Sequence, residues 1–120
     1  EVLQIIWSRQ YKAVANLNAM LMFIDEKQNV FSSDEVYKIY KGEALALRGM
    51  LHFDLLRLFA PALVANPAGI YIPYVTDFPY YGGQSALSVL ETLEKIEADL
   101  LLAKDMIMAY DTLNDANRRI

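Results

Sequence analysis

The residues of this chain that could carry acid–base chemistry gather in one stretch, YKGEALALRGMLHFDLLRLFAP, residues 40–61, which holds Glu43, Arg48, His52, Asp54 and Arg57. Proton transfer needs an acid and a base that converge on one point. On a helical wheel Glu43, Asp54 and Arg57 fall along one edge, whereas Arg48 and His52, four residues apart, fall along the other. Glu43 and Arg48 therefore point to different edges, and the spacing of Asp54 and Arg57 is that of a structural ion pair. His52 is the sole histidine, so no HExxH arrangement or histidine-based metal set exists, and it reads as a core or seam residue whose ring is satisfied. The absence of cysteine removes disulfides, a cysteine zinc site and thiol catalysis. Glu91, Glu94 and Glu97 follow helical spacing without the glycine and asparagine of a calcium loop, which makes them a solvated face. There is no phosphate loop, no G-x-S-x-G and no G-x-G-x-x-G, and YYGGQ contributes only a lone glycine pair. The chain is read as a non-enzyme that takes neither cofactor nor metal.

The elements that must position these residues follow from periodicity. Leu3, Trp7, Val14, Leu17, Leu21 and Ile24 form an apolar stripe with Arg9, Lys12 and Asn16 turned away, which predicts a helix over residues 2–25 with Trp7 in the core. Ser33 followed by Asp34 and Glu35 predicts a capped start for a second helix, and Pro61 disfavours helical geometry at the residue before it, so that helix ends near Phe59. Val89, Leu93, Ile96, Leu100, Ala103 and Ile107 mark a third helix, capped by Ser85 or Ser88, with Glu91, Glu94, Ala98 and Asp105 opposite. Within the second helix Ala44, Leu47, Leu51, Leu55 and Leu58 make one broad apolar face, while Leu45, Gly49, Phe53 and Leu56 cover much of the other. Burial on both sides is the expectation, as for a helix sandwiched between neighbours in a stacked, TPR-like scaffold. Gly49 costs about 1 kcal/mol of helix propensity relative to alanine, so its place in mid-helix predicts a backbone packed closely against another element.

With 120 residues, 55% of them hydrophobic, 22% charged and a net charge of −4, the composition is that of one globular unit. The negative charge and the lack of a basic patch speak against nucleic acid as partner. The one charge-free run of 18 residues or more, 58–76, is broken by Pro61, Pro67 and Pro73, so it does not read as a membrane-spanning helix. The start, EVLQIIWSRQ, lacks Met and a basic leader, and the end, NDANRRI, is abrupt; residues 1–120 read as a single-domain fragment of a larger helical protein.

Between the second and third helices lies APALVANPAGIYIPYVTDFPYYGGQS, a long structured loop with a strand-like run from Ile70 to Val75. It concentrates Tyr71, Tyr74, Phe78, Tyr80 and Tyr81. Aromatic and proline-rich loops serve recognition, because flat rings stack on sugars or peptides at small entropic cost; they also serve to cover a core. Tyr74, Phe78, Tyr80 and Tyr81 are thus the candidate ligand- or partner-binding residues, with Tyr71 and Tyr74 the more buried and Tyr80 and Tyr81 beside the permissive Gly82 and Gly83.

GEALALRGMLHFDLLRLFAP, then IPYVTDF, then SVLETLEKIEADLLLAKDMI resembles the N-terminal region of the SusD/RagB family of outer-membrane nutrient-binding lipoproteins. Glu43, Ala44, Leu47, Arg48, Phe53, Leu55, Arg57, Pro73, Val89, Ile96, Asp99, Leu100 and Ala103 fall on its pattern, and Trp7, Tyr11 and Asn16 fit its preceding helix. Gly49, His52 and Ala60 depart from it at positions of packing. The resemblance spans nearly the whole chain. It implies a mostly helical, TPR-like fold, attachment to the outer membrane at the cell surface through a lipid anchor outside this chain, and a SusC-like TonB-dependent transporter as partner. It also implies an oligosaccharide or peptide ligand and no reaction. Glu43, Arg48, Gly49, Asp54, Arg57 and Trp7 read as structural residues from their places on the helices. The reading of a different class is an intracellular TPR-like adaptor that binds partner proteins.

Overall fold

The computed structural model describes residues 1–80, 82 and 86–110. Three helices dominate it: α1 (Val2–Glu26), α2 (Asp34–Phe59) and α3 (Val89–Ile107), with one-turn 3-10 helices at Gln28–Val30 and Met108–Tyr110. This is the all-α, TPR-like scaffold that the periodicity predicts.

The ends of the helices are set by local chemistry. Ser33 caps α2 by accepting a hydrogen bond from the Val36 N–H at 3.2 Å, with Asp34 and Glu35 in the first turn beside the positive end of the helix. At the other end Ala60 turns to extended geometry ahead of Pro61. The cap of α3 is Ser88, in a reciprocal box: its Oγ accepts from the Glu91 N–H at 3.1 Å, and the Glu91 carboxylate accepts from the Ser88 N–H at 3.2 Å. Ser85, the other candidate, lies outside the described residues.

The strand-like run is shorter than expected. Strand β1 covers only Ile70–Ile72 and pairs antiparallel with β2, Leu87–Ser88, in the register Ile70 to Ser88 and Ile72 to Leu87. Pro73 has no N–H to continue the ladder. Backbone bonds from Val89 N–H to the Gly69 carbonyl (2.9 Å) and from Leu90 N–H to the Pro67 carbonyl (3.1 Å) close the base of the loop onto the start of α3.

Helix α2 lies between α1 and α3, and two apolar clusters sit along it. One gathers Leu55, Leu56, Ile72, Tyr74, Val89 and Ile96, with Trp7, Tyr11 and Phe59 packed against it. The other gathers Leu17, Leu21, Ala44, Leu45 and Ala103, with half-buried Leu51 at its edge. Trp7 is half-buried; its ring meets Tyr11 and Phe59, each at 4.9 Å between centroids.

Gly49 faces α3 as its position in mid-helix predicts: a Cβ there would sit 3.4 Å from the Ile96 carbonyl oxygen and 3.4 Å from Leu100. Gly42, seven residues earlier on the same face, is tighter still, with Ile107 carbon atoms 2.5 and 2.8 Å from a built Cβ.

The expectation that both broad sides of α2 are buried needs correction. Ala44, Leu45, Gly49, Leu55 and Leu56 are buried, but Leu47, Phe53 and Leu58 are 44%, 39% and 53% exposed. With Met50 and Leu100, Leu47 and Phe53 line an open apolar groove between α2 and α3. Each of the two apolar arcs is closed only in part by α1 and α3: Ala44 and Leu55 of one and Leu45, Gly49 and Leu56 of the other are covered, while Leu47, Leu58 and Phe53 stay open.

Candidate functional site

A buried polar network sits where the three helices meet the loop. Arg48 of α2 forms a two-pronged ion pair with Asp99 of α3, Nε to Oδ2 and Nη2 to Oδ1, both at 2.7 Å. Its third nitrogen, Nη1, donates to Asn18 Oδ1 of α1 at 3.1 Å. Tyr74 donates its hydroxyl to Asp99 Oδ2 at 2.5 Å and stacks on His52, 3.9 Å between ring centroids. Burial by itself works against the charged guanidinium, but the hydrogen bonds and charge of Asp99 outweigh it and hold Arg48 above its ordinary value. Burial, reinforced by Asp99, pushes the Tyr74 hydroxyl well above the normal phenol range, so it remains a donor.

His52 is fully buried and uses both ring nitrogens. Nε2 lies 3.1 Å from the Val75 backbone nitrogen and Nδ1 lies 2.9 Å from the Arg48 carbonyl oxygen. The Val75 N–H can only donate, so Nε2 is the bare acceptor and Nδ1 carries the proton it gives to Arg48. Burial, with Arg48 adding to it, pushes the imidazole down to about 4. His52 is thus a neutral structural residue, with the satisfied ring that its position in the seam predicts.

These groups clamp one extended segment. The Val75 carbonyl accepts from Asn18 Nδ2 at 2.9 Å, its N–H is held by His52, and the Pro73 carbonyl accepts from the Tyr11 hydroxyl at 2.7 Å. Residues 73–75 are therefore tied to α1 and α2 at three backbone atoms, and Thr76–Tyr80 leave that anchor exposed.

The four aromatic candidates separate accordingly. Tyr74 does not offer its ring to a ligand: it is buried against His52 with its hydroxyl committed to Asp99. Phe78 and Tyr80 are 40% and 43% exposed. Tyr81 lies outside the described residues.

Asp54 and Arg57 do form an ion pair, at 3.1 Å, but an exposed one that contributes little, with Arg57 also set 5.4 Å from the Phe53 ring. Glu43 is exposed on the rim of the apolar groove and, among the described residues, its carboxylate holds nothing together; the expected structural role falls away.

Sequence reasoning missed Asn18 and the pairing of Asp99 with Arg48. A signal existed for both: Asn18 lies in phase with Val14 and Leu21, and Asp99 with Ile96 and Ala103. A polar residue on an apolar stripe must find a buried partner.

A cleft of about 580 Å³ of mixed polar and apolar lining opens beside this network, bounded by α1, α2 and the segment Thr76–Phe78, with Leu102 of α3 at its edge. Asp25, Lys41, Arg48, Thr76, Asp77 and Phe78 line it. Lys41 Nζ bonds Asp25 Oδ1 at 2.8 Å, and the buried Tyr37 hydroxyl donates to the same oxygen at 2.8 Å. Burial of Asp25 works the other way, but the Lys41 and Tyr37 hydrogen bonds outweigh it and hold the carboxyl below its usual range. Among the described residues no group of three histidine, aspartate or glutamate side chains could hold a metal ion, and no helix is long and apolar enough to cross a membrane.

Fold and site together define a TPR-like helical scaffold whose buried charges are structural and whose loop presents exposed rings. The chain belongs to the SusD-like family described as starch-binding and associating with the outer membrane, which it matches over residues 2–114. No curated protein and no solved structure gives a significant match.

Proposed function

We propose that this chain is the scaffold portion of a glycan-capturing protein of the outer membrane that works with a SusC-type TonB-dependent transporter and is held at the cell surface by a lipid anchor outside this chain. The observation that carries the reading is the family match over residues 2–114. The clamped segment supports it, since rings fixed by a rigid base lose little entropy on stacking against a sugar face. The family description as starch-binding favours a glycan over a peptide, and outer-membrane association favours uptake over an intracellular adaptor. The open groove of α2 and α3 fits a scaffold in which each helix pair buries one face on its partner and another on the next pair.

The test uses the full-length protein in its native membrane. Affinity purification is expected to recover a TonB-dependent transporter, and a glycan array is expected to show binding that falls when Phe78 and Tyr80 are both changed to alanine while the melting temperature holds. Recovery of cytosolic partners without a transporter overturns the reading. A large drop in melting temperature with glycan binding retained would show that the rings only cover the core.

A further inference from the structure

We infer that His52 is an acid-operated latch for the loop: a proton on its Nε2 frees the Val75 N–H, and with it the segment that presents Phe78 and Tyr80, while the three helices stay packed. The latch belongs to the fold and holds for whatever ligand those rings meet.

The closed loop admits only one state of the ring. Val75 N–H donates to Nε2 at 3.1 Å and Nδ1 donates to the Arg48 carbonyl at 2.9 Å, so Nε2 must be bare. A second proton sets N–H against N–H, and a hydrogen bond is replaced by a repulsive contact. The ring cannot turn away, because it is fully buried and stacked on Tyr74, 3.9 Å between centroids.

Its surroundings do not receive the charge either. From α1 the Tyr11 ring meets it edge-on, with the hydroxyl given to the Pro73 carbonyl, and from the loop Tyr74 gives its hydroxyl to Asp99. From α2 comes the guanidinium of Arg48, a like charge, and from α3 comes Asp99, both of whose oxygens already accept from Arg48. An imidazolium is therefore held beside a cation, with the nearby carboxylate spent on that cation, and it reaches water only if the segment over it leaves.

What opens is the loop and not the bundle. Three backbone bonds tie residues 73–75 to the helices, and one of them is made by His52 itself. The helices have ties that bypass the ring: Arg48 to Asp99 and Asn18, and the cluster of Leu17, Leu21, Ala44, Leu45 and Ala103, which contains no loop residue. The closed ring, at about 4, lies below the ordinary 6.5 that it regains in water, so the closed loop is fully stabilised above pH 6.5 and loses that stabilisation as pH falls toward 4. The open fraction at pH 4 is then about a hundredfold that at pH 7.

Amide hydrogen exchange of the full-length protein, corrected for the intrinsic pH dependence of exchange, tests the latch. Protection of the Val75 amide is expected to fall about a hundredfold between pH 7 and pH 4, while the amides of Leu55 in α2 and Ala103 in α3 keep theirs. His52→Gln, whose side chain accepts a hydrogen bond without titrating in this range, is expected to hold Val75 protection constant. Should that variant fail to fold, His52→Phe, a flat ring with neither acceptor nor charge, is expected to give low Val75 protection that is equal at both pH values. Wild-type Val75 protection that is unchanged at pH 4, or that falls in step with Leu55 and Ala103, overturns the latch. So does an equal fall in the glutamine or phenylalanine variant, and each of these results leaves the glycan-binding reading standing.

Discussion

The two sides of α2 make opposite use of similar material. Toward α1 and α3 the helix turns Arg48, His52 and Leu55, and every one of them is closed over: the guanidinium by Asp99 and Asn18, the imidazole by Tyr74 and the Val75 backbone, the leucine by apolar neighbours. On another arc it turns Leu47, Met50 and Phe53, which are more apolar residue for residue yet stand open to solvent. Hydrophobicity alone therefore does not say which side of a helix is inside. What closes a side is the presence of a second element with matching groups, and here the matching groups are polar.

The largest test of that contrast is to break the polar side. Arg48→Leu leaves the Asp99 carboxylate buried without its cation, and the expected loss is about 3–5 kcal/mol in urea denaturation. Changing Asp99→Leu as well should recover part of the loss, since no uncompensated charge then remains. A loss below about 1 kcal/mol, the scale of an exposed pair, would show that water reaches the site.

Acid provides the next. The folded value of His52, about 4, lies below the ordinary 6.5, so the unfolded chain takes up the proton first. Stability from this group is complete above pH 6.5 and is lost progressively as pH falls toward 4, by roughly 3 kcal/mol at most for a shift of this size. Tyr74, Tyr11, Arg48 and Asp99 face or neighbour the ring, and only the last offers it a negative charge, which Arg48 already neutralises. Denaturation midpoints measured from pH 7 to pH 4 should fall, and the part of the slope due to His52 should vanish in a His52→Gln background.

A smaller effect is expected where α2 meets α3. Gly49→Leu should cost about 1–3 kcal/mol through overpacking against Ile96 and Leu100, despite leucine's better helix propensity. Gly49→Ala meets neighbours only at 3.4 Å and should stay near neutral. A leucine variant as stable as the wild type would mean that the helices part easily at this point.

The smallest belongs to the open side. Leu47→Ala should change stability by less than about 0.5 kcal/mol, as at an exposed position. A cost of several kcal/mol would show that the groove is covered in the protein as it exists.

Helix positions were legible in the sequence because their signals are local: stripes at three- and four-residue spacing, Ser33 and Ser88 at caps, and Pro61 after the end of α2. The place of His52 in a packed seam with its ring satisfied was legible too, since a lone histidine on an apolar helix has little else to do; its neutral state was not, because that depends on the Val75 and Arg48 backbone groups. The second strand was not, because Leu87–Ser88 is too short to show alternation and exists only through the main chain of Ile70–Ile72. Nor was the open side of α2 legible, because a wheel records which residues are apolar and not which of them a neighbour reaches.

By itself, then, the sequence determined the three helices, their ends and the family, all of which depend on residues close together along the chain or on motifs in a fixed order. The tertiary structure alone decided that Asn18, Arg48, Asp99 and Tyr74 share one network, that Tyr74 is buried while Phe78 is exposed, and that Asp25 and Lys41 open beside it. Those facts rest on single hydrogen bonds between residues as much as 51 positions apart, and only the packing of α1 and α3 against α2 brings their hydrogen-bonding groups within reach.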